Sequence, residues 1–159
     1  MEGRALSKIL SAIILLGAVL FSTLSFSSAP SLFDNLLIYD KKVVNHRSDL
    51  IDLAKNVNSD ECEKALSFLS IAEKYSIIID FIRDFSLIKD LIHNQPDKSR
   101  INFIINNRFD FIIKDIDLSI KEVNLGIAHT KNQGIITVAT DLRNDLRMIK
   151  EILLKEIKH

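Results

Sequence analysis

After residue 29 the chain contains almost nothing that stops a helix. Pro30, Pro96, Gly126 and Gly134 are the only prolines and glycines over positions 30–159. An all-β domain of this size needs turn residues roughly every 8–12 positions, so strands are a poor reading. Helices are the economical one. The polar breaks Asn56-Val57-Asn58-Ser59-Asp60, Asn94-Gln95-Pro96-Asp97 and Ala128 to Gly134 divide the chain into four helices over about 31–57, 59–93, 97–126 and 133–158. Long helices with short connections pack as an antiparallel up-down four-helix bundle, so the fold class is all-α.

The apolar spacing agrees. Leu32, Leu36, Tyr39, Val43, Leu50, Leu53 and Val57 fall on one helical face. Ile135, Ala139, Leu142, Leu146, Ile149, Leu153 and Ile157 step close to a heptad, a seam through which the last helix could oligomerise. Asn58 followed by Glu61 resembles a capping box, with Ser59 or Asp60 as alternative caps. The third segment is ambiguous. Phe109-Asp110-Phe111 and Ile116 to Ile120 alternate with the period of a strand. Ile101, Ile105, Ile112, Ile116, Ile120, Val123 and Ile127 make a helical stripe that explains more residues and needs no strand partner.

Residues 1–29 differ from the rest. Arg4 and Lys8 precede 21 residues, Ile9 to Ala29, without a formal charge. A basic start, an apolar run and a small-residue tail are the layout of a signal peptide, with Ser25-Phe26-Ser27 as the cleavage motif. The same run is long enough to remain as a membrane anchor. In both readings the positive residues stay inside and residues 30–159 are exported to the periplasm or extracellular space.

The composition narrows the function classes. Lys and Arg number 21, equal to Asp and Glu, a balance that argues against nucleic-acid binding through bulk phosphate contacts. A single cysteine excludes an internal disulfide and any Cys-based zinc or iron–sulfur site within one chain. Asp90 with His93 and His46 with Asp49 are the nearest approach to a di-iron pattern, and helix direction should keep the two pairs apart. A haem would need Met148 with His46, His93 or His129, and a lone apolar-helix methionine is usually core filler. No Gly-x-Ser-x-Gly elbow or phosphate-cradling glycine loop is present. No cofactor, metal site or catalytic group is expected, and the residues carry no signature of a named family.

Two surface features remain. Arg143, Arg147 and Lys150 share a helix face and are candidate partner contacts, against the simpler reading of a solvated face. Cys62 is a candidate for an intermolecular disulfide in an oxidising compartment, against a buried thiol. Arg83-Asp84, Arg108-Asp110 and Lys114-Asp115 offer ion pairs between helices. The polar 128–134 connection, at the same end as the 57–60 turn, is a candidate contact loop. The expected function is a non-enzymatic, exported helical bundle that binds another protein. The alternatives are a structural domain tethered through residues 9–29 and, more distantly, a metal- or haem-binding bundle.

Overall fold

The computed structural model describes residues 32–91 and 96–157, without the side chains of Phe33 and Asp90. The N-terminal apolar run, its cleavage motif and His93 lie outside the described residues. Four helices account for nearly all that is described: α1 (Leu32–Lys55), α2 (Ser59–Leu91), α3 (Lys98–His129) and α4 (Gln133–Ile157). No strand occurs among the described residues, and none of these helices is long and apolar enough to cross a membrane.

The ambiguous third segment is helical. α3 buries Ile105, Phe109, Ile113, Ile116, Ser119 and Val123, which advance by three or four. The strand-like alternation fails at its first pair, because Phe109 is fully buried while Phe111 is 69% exposed. The buried stripe is also rotated from the expected one, with Ile101, Ile112, Ile120 and Ile127 only half-buried at its edges. α3 continues three residues past Gly126, where the missing side chain serves packing. A Cβ there would sit 2.6 Å from two ring carbons of Phe68 on α2.

Cross-helix pairs establish the direction of every neighbour. Asp40 and Arg47 of α1 meet Arg83 and Glu73 of α2 in reverse order. Tyr75 and Phe85 of α2 meet Ser119 and Phe109 of α3. Asp117 and Asn124 of α3 meet Lys150 and Arg143 of α4, and α1 returns to α4 through Lys42 and Asp145. Each helix is therefore antiparallel to its neighbours around a closed ring. The core lies along the ring axis. α1 contributes Leu32, Leu36, Val43 and Leu50, while Tyr39, Leu53 and Val57 pack at its margin. α4 buries Ile135, Ala139, Leu142, Leu146, Ile149 and Leu153. Its heptad-like seam is thus consumed inside the chain and is not free to oligomerise. The neighbouring contacts are unequal: α1 against α2 is the most extensive and α2 against α3 the least.

Candidate functional site

The end carrying the 57–60 turn and the 130–132 loop is tied down by capping groups. The Asn58 side-chain oxygen accepts the Glu61 N–H at 3.0 Å, making Asn58 the cap of α2. Glu61 does not reach back to close a capping box. Its carboxylate accepts the backbone N–H of Lys131 at 3.1 Å and of Asn132 at 3.3 Å, and an ammonium hydrogen bond from Lys64 at 3.1 Å. The hydrogen bond from Lys131 is the main reason its carboxyl is held below the usual carboxylate range, and the Lys64 contact and Asn132 N–H add to it against the effect of burial. Asn132 in turn caps α4 by accepting from Ile135 at 3.1 Å, and Thr130 donates its hydroxyl to the Gly126 carbonyl at 2.7 Å. The backbone N–H groups of Thr130, Lys131 and Asn132 are thus already engaged.

Along the α1/α4 seam a carboxylate is buried. Asp145, with 9% of its side chain exposed, meets the Lys42 ammonium at 2.9 Å and His46 Nε2 at 2.9 Å. Burial alone would raise its pKa, but the hydrogen bonds and charge of His46 and Lys42 outweigh that and hold the carboxyl low. The same hydrogen bond raises Lys42. His46 is thus engaged with α4 through Asp145. Among the described residues, no group of three or more His, Cys, Asp or Glu side chains is placed to hold a metal.

The opposite seam, between α2 and α3, is apolar and open. At one end it is tight: Phe68 fills the space over Gly126, the Tyr75 hydroxyl donates to Ser119 Oγ at 3.3 Å, and Lys74 pairs with Asp115 at 2.6 Å. Burial pushes the Tyr75 phenol far above its ordinary value, so it stays protonated. Beyond Tyr75 a cleft of about 570 Å³ opens, lined by Ile78, Phe81 and Phe85 of α2 and by Ile104, Phe111 and Ile112 of α3, with Arg108 as its one charged member. Phe85 meets the buried Phe109 edge to face, ring centroids 6.1 Å apart. Phe81, Ile104 and Phe111 expose half or more of their surface.

The residues singled out from the sequence fall elsewhere. Arg143 donates to the Asn124 side chain at 2.9 Å, and Lys150 spans both Asp117 oxygens at 2.7 and 2.8 Å, so both face α3. Arg147 is exposed beside a shallow depression that also includes Lys150 and Glu151. Cys62 is a half-buried free thiol in the first turn of α2. Of the charged pairs read along the chain, Arg83 turns to Asp40 and Asp80, and Asp115 takes Lys74. The sequence reading missed Asp145 as a buried group and the α2/α3 face as an exposed one. A signal for the second was present: Ile104, Phe111, Leu118 and Leu125 stand seven apart, and all four are at least half exposed. Comparison with family models, curated proteins and solved structures returned no match to this chain.

Proposed function

We propose that this is a non-enzymatic helical-bundle protein, exported to the periplasm or extracellular space, that binds another protein chain through its α2/α3 face. The open apolar cleft carries the reading, because it joins a concave aromatic and aliphatic surface to Arg108, a cation with no ion pair among the described residues, the composition of a protein-docking site. The buried polar groups support the non-enzymatic part. Asp145, Glu61 and Tyr75 are each satisfied by neighbours within the chain, and none of them lines the α2/α3 cleft. The test is photo-crosslinking in the intact cell, with the probe at Phe111 and a control probe at Glu151. Protein adducts from the first position and none from the second are expected. An absence of adducts at Phe111, or the same adducts at both, overturns the reading.

A tethered structural domain is the second reading, and one observation favours it. Ile38, Leu91 and Phe103, at 57%, 79% and 67% exposure, lie toward the end of the bundle where α1 begins. Intact mass in separated soluble and membrane fractions decides between them. A soluble species lacking about 27 residues indicates cleavage at the motif, and a full-length species confined to membranes indicates an anchor.

A further inference from the structure

We infer that the α2/α3 face is closed by a second copy of this chain, related by a two-fold axis parallel to the helices. The inference rests on the reading of that face as a protein-binding surface and names the partner.

Size is the first argument. Ile77, Phe81, Ile104, Phe111 and Leu118 are each 50–69% exposed on this side. At 150–250 Å² for a full aromatic side chain, they present on the order of 600 Å² of apolar surface. That is at the upper limit of what a monomer leaves uncovered, and with its polar rim it approaches the ~800 Å² each partner contributes to a stable complex.

Shape is the second. Ile104, Phe111 and Leu118 form a heptad-spaced ridge on α3, and Ile77, Phe81 and Ile88 a ridge spaced by four and seven on α2, with the cleft between them. A two-fold axis along the cleft lays the α2 ridge of one copy on the α3 ridge of the other, antiparallel, as ridge packing favours. It also carries both Leu32 positions to one end.

Charge selects a second copy over an unrelated chain. Arg108 in the cleft and Asp84 between Phe81 and Ile88 are exposed, and neither makes an ion pair among the described residues. Their neighbours Phe85 and Phe109 touch, so the two charges stand at the same height on the bundle. Rotation about an axis parallel to the helices preserves that height. It brings Asp84 of each copy to Arg108 of the other, giving two ion pairs per dimer. An unrelated partner would have to supply both charges itself.

The test sizes the natively processed protein, expressed from the full chain and purified from the fraction it occupies, by sedimentation velocity over a concentration series. Twice the chain mass is expected. Arg108→Asp and Asp84→Arg should each raise the dimer dissociation constant tenfold or more, since each places like charges together twice, and the combined variant should return it to within about threefold. Phe111→Asp should leave a monomer. Circular dichroism and unfolding midpoints confirm that each variant is folded. A single-chain mass at every concentration, a dimer indifferent to Arg108→Asp, or no rescue by the double reversal overturns the proposal. If the wild type is monomeric while Phe111 crosslinks to a different protein, the second copy is excluded and the protein-binding reading survives. If neither occurs, both fail.

Discussion

Along the α1/α4 seam a carboxylate is buried and its neighbours on α1 answer it, whereas along the α2/α3 seam Phe81 and Phe111 are more than half exposed, with none of the described residues over them. Burying a charge is costly unless it is paired and hydrogen-bonded, and Asp145 meets both conditions through Lys42 and His46. Such a cluster fixes how α4 sits on α1 more than it adds stability, because the desolvation of its members offsets much of their attraction. The exposed apolar surface has no such partner among the described residues. Phe81 and Phe111 flank a cleft instead of filling it. One seam is complete in a single chain, and the other presents a surface that a second chain can complete.

The largest effect is expected at the closed seam. Asp145→Ala leaves His46 Nε2, on a side chain 12% exposed, without its acceptor, while the half-exposed Lys42 can turn to water. A loss of about 2–3 kcal/mol by denaturant unfolding at neutral pH is expected. Replacing both Asp145 and His46 by leucine should cost under about 1 kcal/mol, since a packed apolar pair removes the desolvation cost together with the bond. A loss below about 0.5 kcal/mol for Asp145→Ala would show that the seam behaves as a solvated surface pair.

Next comes the tight end of the α2/α3 seam. Gly126→Ala gains about 1 kcal/mol of helix propensity but drives a methyl into the ring of Phe68, which is 1% exposed and has no room to withdraw. Overpacking of this kind costs about 1–3 kcal/mol, so a net loss near 1 kcal/mol is expected. A stabilised variant would mean that the Phe68 ring can give way and that the seam is not tight at this end.

Acid should weaken the single-chain fold through its buried carboxylates. Asp145 and Glu61 both have carboxyls held below their ordinary values in the folded chain. Unfolded Asp and Glu titrate near ~3.9 and ~4.3, so their contribution is fully present above about pH 5. It is lost as the pH falls through those values toward the lower folded ones. Asp145→Asn should flatten part of that acid limb in a stability–pH series, and an unchanged limb would remove Asp145 from it.

What the sequence made legible follows from where periodicity is unambiguous. The buried face of α4 could be read directly, because Arg143, Asn144, Asp145, Arg147 and Lys150 surround Leu142, Leu146 and Ile149, and that of α1 followed from the spacing of Leu36, Val43 and Leu50 although Leu37, Ile38, Val44 and Ile51 beside them are exposed. Asp145 could not be read as buried. It is adjacent to Leu146 at the edge of that stripe, and its partner His46 lies 99 residues away in the chain. α3 was the hardest segment, since apolar residues occur on nearly every side of it. Hydrophobic pattern alone does not say which of Phe109 and Phe111 faces the core. That is settled by the close approach of α2, through Phe85 and Phe68. The oligomerising seam expected on α4 failed for the same reason, because a heptad stripe packs equally well against helices of its own chain.

The smallest expected effect for the size of the group removed is the most informative about the open seam. Phe81→Ser and Phe111→Ser remove aromatic rings that are 55% and 69% exposed. A core phenylalanine truncated this way would cost about 3–5 kcal/mol, but these rings bury less than half of their surface. Unfolding of the dilute protein, below any association, should therefore shift by only about 1 kcal/mol per ring. A loss above about 3 kcal/mol for either would place that ring inside the single-chain core and remove the cleft as a surface. A small shift, joined to altered self-association at higher concentration, means the rings contribute to contact between chains and not to the fold of one.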